Sequence, residues 1–329
     1  MKQRRLGNDG PLVGEVGFGA MSLAGAFGPT DEATSHRTLA KALDLGVTHI
    51  DTALIYGPHI SEEIIGGFLR KNPSAKQRFV IATKGGFKIE PRGISNEANF
   101  LRECLEGSLR RLGVDHIPLY YVHRREQAIP IEDVMQTLVR FKEEGKIGGI
   151  GFSEISPASF ERAVAVHHIM AVQSEYSLWS RLPELGMVQA TKRHGAALVA
   201  FSPVARGVLC DFKLDAAKFP DRDFRKTMPR FQAGPFARNM VKAEDFKTYA
   251  RERGWTPSAL ALAWVLSRGD HIIPIPGTRT AEHLGENAAA SDIRLSTDDL
   301  TAIDEILPPG WAEGNRYSDE QQKSSELYC

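Results

Sequence analysis

The sequence predicts a (β/α)8 TIM barrel with an N-terminal hairpin, a long loop after the seventh strand and a C-terminal tail. Short apolar runs alternate with longer segments of helical period, eight strand candidates can be counted, and no composition break divides the chain. Together these favour one closed barrel domain over residues 1–329 rather than an open doubly wound sheet. At 329 residues, 42% hydrophobic and 25% charged, the chain has material for a core of that size.

Asn8-Asp9-Gly10 has the turn chemistry of a small hairpin. Strands are then expected at Glu15-Phe18, Val47-Asp51, Phe79-Lys84, Ile117-His123, Ile147-Ser153, Ala171-Glu175, Ala197-Ser202 and His271-Pro276. The first crossover helix has Thr30 as its N-cap, Asp31 and Glu32 in its first turn, Leu39 and Leu43 on one face and Gly46 as its stop. Another begins at Ser95, aligns Leu101, Leu105, Leu109 and Leu112, and stops at Gly113. Further helical stretches fit Ile131-Glu144, Pro157-Val166, Pro183-His194, Ala281-Ala290 and about Thr297-Leu307. Gly17-Phe18-Gly19 and Gly149-Ile150-Gly151 read as tight turns at strand ends. Residues 206–240 hold no clean period and are expected to form a long loop, either a lid or a substrate wall. Residues 308–329 form a polar tail that either dangles or folds across the barrel mouth.

Forty-one basic and 41 acidic side chains cancel, so no global field holds a nucleic acid or an anionic membrane, and the expected partner is a small molecule. No apolar stretch approaches the roughly 20 residues needed to cross a bilayer. Cys104, Cys210 and Cys329 have neither close pairing nor metal-ligand spacing, and Met1-Lys2-Gln3-Arg4-Arg5 leads into Gly7 without an apolar signal core. A cytoplasmic protein with reduced thiols is expected, either a monomer or a homo-oligomer. No metal site is expected, since the chain lacks a zinc-binding His-x-His pair, and no strand leads through Gly-x-Gly-x-x-Gly into a helix as a Rossmann enzyme requires.

Asp51, Lys84 and His123 stand at the ends of three of the expected strands, and Tyr56 lies in a short loop just beyond Asp51. In a parallel barrel these ends share one rim, where active sites of the fold sit. A tyrosine becomes a useful acid near neutrality when its pKa falls below about 10, and a close ammonium group lowers it by stabilising the phenolate. Lys84 is expected to supply that charge, Asp51 to keep Lys84 charged and oriented, and neutral His123 to donate a hydrogen bond to a substrate carbonyl. Phe27, Phe87, Trp179 and the loop after Arg206 either line an apolar pocket around Met21 and Tyr56 or pack in the core.

The four residues resemble the Asp, Tyr, Lys, His tetrad of the aldo-keto reductase superfamily. The resemblance extends through Gly17-Phe18-Gly19-Ala20-Met21, Asp51-Thr52-Ala53 to Tyr56-Gly57, Thr83-Lys84, Leu112-Gly113 with Asp115, Gly151-Phe152-Ser153 and Ile275-Pro276-Gly277-Thr278. It implies hydrogen bonds from Ser153 and Gln173 to a nicotinamide carboxamide, with Phe201 stacked on the ring and Met21 and Asp51 beside it. It further implies a pyrophosphate contact along Ser202, Pro203, Val204, Arg206 and Gly207. An adenosine-phosphate segment would run through Ile275, Gly277, Thr278, Arg279, His283, Glu286 and Asn287, with backbone amides at a helix start suiting an anion. Glu154 replaces an Asn found in many members, and His283 replaces an Arg often set against the 2′-phosphate. Arg279 is expected to take over that phosphate, which favours NADPH while leaving NADH possible. Tyr120-Tyr121-Val122-His123-Arg124, Gln173-Ser174-Glu175-Tyr176-Ser177-Leu178-Trp179 and Gly314-Asn315-Arg316-Tyr317 are similar to general oxidoreductases and pyridoxal reductase-like enzymes of microbes and plants.

The resemblance implies reversible NADPH-dependent reduction of an aldehyde or ketone. Two other functions are compatible with these residues. One is a cofactor-binding regulatory subunit like the superfamily's potassium-channel β-subunits. The other is a barrel aldolase with Lys84 as Schiff-base nucleophile, against which Asp51 argues by keeping the lysine protonated.

Overall fold

The computed structural model describes residues 1–221 and 223–328, so Cys329 lies outside the described residues. An antiparallel hairpin joins β1 (Gln3–Arg5) to β2 (Leu12–Gly14), as the Asn8-Asp9-Gly10 turn predicts. The barrel strands begin with β3 (Phe18–Gly19), β4 (His49–Asp51) and β5 (Val80–Gly85). A side hairpin of β6 (Phe87–Lys88) and β7 (Gly93–Ile94) follows, and then come β8 (Ile117–Val122), β9 (Ile147–Ser153), β10 (Ala171–Glu175), β11 (Ala197–Phe201) and β12 (Ile272–Pro274). Eight strands pair in parallel in the order β3-β4-β5-β8-β9-β10-β11-β12. The ring closes where the Gly17 N–H donates to the Pro274 carbonyl at 2.9 Å and the Gly19 N–H to the Pro276 carbonyl at 3.1 Å.

The helices are α1 (Glu32–Leu45), α2 (Ile60–Lys71), a one-turn α3 (Ala75–Arg78), α4 (Ala98–Leu112), α5 (Ile131–Glu143), α6 (Pro157–Val164) and α7 (Met187–Arg193). After β11 come α8 (Ala233–Glu252) and α9 (Pro257–Ser267), then α10 (Ala281–Ala288), α11 (Thr297–Ile306) and α12 (Asp319–Gln322). Asp31, not Thr30, caps α1, because its carboxylate is the group that accepts from the Thr34 N–H, at 2.7 Å. Helix α4 starts at Ala98 rather than Ser95, and the stretch from Pro183 to His194 is split by Gly186 at φ 124°. Helix α9 is buried all round, which explains why Ala259 to Leu266 is the most apolar run in the chain. No helix among the described residues is long and apolar enough to cross a membrane.

Leu6 and Val13 of the N-terminal hairpin join Met170, Leu119, Val199 and Ile273 inside the barrel, so the hairpin plugs the end opposite the catalytic rim. Tyr121 sits in the same interior cluster. Gly149-Ile150-Gly151 is not a turn but the middle of β9: a Cβ on Gly151 would stand 2.4 Å from the Tyr121 ring, and one on Gly149 2.3 Å from the Met170 side chain. These glycines make room for large interior side chains. Gly151→Ala forces Tyr121 to move, so a lower urea midpoint at unchanged m is expected, corresponding to about 1–3 kcal/mol. An unaltered midpoint would refute that packing argument.

The region after β11 is not a loop throughout 206–240, because α8 begins at Ala233. Its earlier part is ordered by aromatic side chains: Phe231 lies 5.7 Å from Trp179, which meets Trp311 of the tail edge-on at 5.7 Å. The tail folds across the mouth rather than dangling. The Trp311 indole donates to the Leu178 carbonyl at 2.7 Å, Asn239 and Glu313 exchange two hydrogen bonds, and Glu326 accepts from Arg125 at 2.6 Å and from the Ser156 N–H at 2.8 Å. Polar composition hid this, since the anchors are specific hydrogen bonds rather than an apolar face.

Candidate active site

All four tetrad residues gather at the C-terminal rim. Asp51 ends β4, Lys84 stands near the end of β5 opposite Tyr121, and His123 follows β8 with its N–H bonded to the Gly85 carbonyl at 2.9 Å. Tyr56 is brought back over the axis by a tight loop, in which the Tyr56 N–H donates to the Ala53 carbonyl and the Leu54 N–H to the Lys84 carbonyl. Gly57 at φ 72° and His59 at φ 70° complete the turn into α2.

The Lys84 ammonium is fully buried. It donates to the Asp51 carboxylate, to the Thr52 carbonyl at 2.7 Å and to the Tyr56 hydroxyl at 3.4 Å. Gln173 donates to the other Asp51 oxygen at 2.7 Å, so both carboxylate oxygens are held. The His123 ring meets Tyr56 edge-on at 5.8 Å and Phe87 edge-on at 4.8 Å.

The electrostatics correct one expectation. Burial raises the Tyr56 pKa, and Lys84, although it acts to lower it, does not overcome that effect in this structure. The phenol is therefore a firmly protonated donor, not an acid already poised near neutrality. Burial pulls Lys84 down, but the Asp51 carboxylate and Tyr56 more than offset it, leaving the ammonium above its ordinary value and unsuited to act as a free amine nucleophile. His123 falls well below its ordinary value, through burial first and then the charges of Arg124 and Lys84, which favours the neutral ring.

The residues expected to hold a nicotinamide cofactor lie along the same rim. Ser153 and Gln173 are register partners on β9 and β10, and Phe201, partly exposed, ends β11. Among the described residues, Gln173 keeps its amide oxygen and Ser153 its hydroxyl hydrogen free of protein partners, the pair of functions a carboxamide requires. Beyond them Ser202, Ala205 and Arg206 adopt left-handed φ values of 50°, 53° and 55°, and Pro203, Val204 and Gly207 complete this cradle. Backbone turned this way can present N–H groups to an anion, although those of Ala205 and Gly207 here close onto the Ser202 and Val204 carbonyls at 2.9 and 3.1 Å. Met21 is partly exposed in the turn after β3. Ile275, Gly277 and Thr278 follow β12, where Gly277 meets Gly19. Of the helix residues, His283 is exposed in the first turn of α10, Glu286 is partly exposed and Asn287 is buried. The Arg279 guanidinium donates to the Pro29 carbonyl at 3.1 Å and has no carboxylate partner among the described residues.

Arg206 is the exception: its side chain does not face the cradle but pairs with buried Glu175 at 2.7 Å, between the rings of Phe224 and Tyr317. Arg316 from the tail completes that cluster, bonding Glu154 and Glu175. Burial would raise Glu175, but Arg206, Arg316 and Arg230 hold it down to about 2. Glu154, which stands where Asn is common, thus anchors the tail. Of the aromatics expected around the pocket, Phe87 touches His123 and Phe27 meets Phe224 at 5.4 Å, whereas Trp179 is core packing beneath the tail. Sequence reasoning missed Arg124 as a site residue, although its place directly after His123 puts it on the rim. It also missed Arg316, whose partners lie too far away in the chain to leave a local signal.

A family model described as the aldo/keto reductase family matches residues 15–308. The chain is similar to Schizosaccharomyces pombe aldo-keto reductase yakc, named for NADP(+), at 37% identity over 321 residues, covering 95% of this chain and 94% of that protein. It is 38% identical over 319 residues to the probable aldo-keto reductase 1 of Glycine max, covering 95% of this chain and 91% of the relative. Among solved structures, the glycerol dehydrogenase AKR11B4 from Gluconobacter oxydans superposes with a TM-score of 0.84 at 27% identity, covering 96% and 98% of the two chains. The holo form of aldo-keto reductase AKR11C1 from Bacillus halodurans gives 0.75 at 25% identity, covering 98% and 99%.

Proposed function

Because this chain belongs to the aldo/keto reductase family, we propose that it reduces an aldehyde or ketone to an alcohol reversibly, with NADPH as hydride donor and Tyr56 as general acid. The observation that carries this reading is the buried Asp51, Lys84 and Tyr56 chain ending beside His123. When bound along this rim, NADPH would be the source of the hydride for the carbonyl carbon. The chain's own residues do the rest.

His123, neutral and set edge-on to Tyr56, donates a hydrogen bond that holds the carbonyl oxygen against the phenol. Tyr56 gives its proton to that oxygen as negative charge develops there. Lys84 then stabilises the phenolate, and its fixed charge requires no reorganisation as it does so. Asp51, held by Gln173, keeps Lys84 in place. The raised Tyr56 pKa suits this role: the donor is fully protonated before reaction, and the pull of Lys84 limits the energy needed to part with the proton.

Ser153 and Gln173 would bind the carboxamide, Phe201 would cover the ring and the left-handed backbone from Ser202 to Gly207 would receive the pyrophosphate. Arg279, unpaired with any carboxylate among the described residues, would take the 2′-phosphate. Arg279→Ala is accordingly expected to raise KM for NADPH at least about tenfold while changing KM for NADH little, as befits the loss of one charge-assisted contact. Initial rates with the two cofactors at fixed carbonyl substrate test this, and equal changes for both would remove Arg279 from that role. For the reaction itself, a panel of aldehydes and ketones followed at the absorbance of the reduced cofactor is decisive. Absence of NADPH-dependent turnover on every member would sink the proposal.

A further inference from the structure

Arg124 stands where the mechanism needs no cation. Its guanidinium follows His123 at the end of β8, and one nitrogen, Nη1, donates to the His123 carbonyl at 2.7 Å and to Ser153 Oγ at 3.1 Å. Nη2 has a long contact, 3.5 Å, with the Tyr317 hydroxyl of the tail, and Nε is buried with no partner. Among the described residues no carboxylate pairs with it, in contrast to Arg125 beside it, which pairs with Glu326. Its charge reaches both catalytic groups, favouring the ionised form of Tyr56 and disfavouring that of His123. Arg124 as a whole is partly exposed, but its Nε is buried, and a half-buried guanidinium without an anionic partner is stabilised by one that completes it.

The acids nearby do not. Glu154 and Glu175 are engaged by Arg316 and Arg206, and Glu126 accepts from the Asn96 N–H. Of the donors left over on Arg124, Nε lies buried, and the remaining hydrogen of Nη2 suits a charge-assisted hydrogen bond to a carboxylate.

We propose that Arg124 is a specificity-determining residue that binds a carboxylate on the substrate, so that the preferred substrates are aldehydes or ketones bearing an acid group. The inference rests on the carbonyl-reductase reading above. Tyr56 and His123 hold the carbonyl oxygen while Arg124 holds the far end, and the Tyr317 hydroxyl of the folded tail closes over it. Binding through both ends restricts the carbonyl to a reactive orientation. Neutral carbonyl compounds would enter the same site but leave Arg124 unpaired.

The test compares 4-carboxybenzaldehyde and succinic semialdehyde with their methyl esters, using the full chain and NADPH. The wild type is expected to show kcat/KM about tenfold or more higher for each acid than for its ester, the difference lying mainly in KM and shrinking as salt is raised. Arg124→Met should reduce kcat/KM for the acids at least about tenfold more than for the esters, and Arg124→Lys should recover part of the preference. Equal efficiency of acid and ester in the wild type overturns the inference while leaving the reductase reading intact. So does an equal loss on both in Arg124→Met, which would make Arg124 only a support for Ser153 and the tail. If NADPH drives reduction of neither acid nor ester, nor of other carbonyl compounds, the reductase reading falls and takes this one with it.

Discussion

Tyr56→Phe is expected to lower kcat about a thousandfold while NADPH binding, followed by quenching of the four tryptophans, changes less than about threefold. The substitution removes one oxygen and leaves the ring that packs edge-on to His123, so neither the fold nor the cofactor cradle is disturbed. What disappears is the proton donor. The hydroxyl's protein partner is Lys84 at 3.4 Å, and that ammonium keeps its bonds to Asp51 and the Thr52 carbonyl in the variant. A loss confined to kcat at intact cofactor affinity is the signature of an interaction made in the transition state. Near-full turnover by the variant would show that another group protonates the substrate, and the role of Tyr56 would have to be abandoned.

The parts of the molecule that were legible in the sequence are those whose causes are local. Strands β9 and β10 fall at the bounds read from the sequence: β9 is a run of small and apolar residues, while β10 opens on Ala171-Val172 and ends in the buried polar residues Gln173, Ser174 and Glu175 at the rim. The first barrel strand, expected at Glu15-Phe18, instead spans Phe18–Gly19. Glu15 belongs to the closed end, where its carboxylate accepts from Arg4 and from Ser291, and pairing in the ring begins only at Phe18. The tetrad was legible because strand ends of a parallel barrel share a rim, so position along the chain stands in for position in space. Its proton energetics were not. The balance at Tyr56 depends on how completely the hydroxyl is removed from water, and that is a property of the assembled loops. The tail was illegible for a related reason: Arg316 finds Glu175 across 141 residues of chain, with no periodic pattern to announce the pairing.

Lys84→Met is the variant in which catalysis and stability fail together, and the size of each loss follows from the same burial. In the wild type the ammonium compensates the Asp51 carboxylate, which is 1% exposed. Removing it leaves that carboxylate with the Gln173 amide as its remaining side-chain donor, and stranding one member of a buried ion pair costs about 3–5 kcal/mol. The pair's contribution is fully present at neutral pH. With its pKa raised above 10.5, Lys84 releases that stabilisation only as pH rises through the folded value, so urea unfolding near pH 7 measures all of it. On the catalytic side, burial raises the cost of ionising Tyr56, and Lys84 is the largest opposing influence. Without it the phenol must lose its proton into a site that no longer favours the anion, and kcat is expected to fall by about two orders of magnitude or more. The two losses can be told apart by assaying the variant well below its unfolding midpoint. A folded Lys84→Met protein with near wild-type turnover would mean that the lysine serves only to neutralise Asp51. A protein that lost turnover without losing stability would mean that the carboxylate is satisfied by other donors.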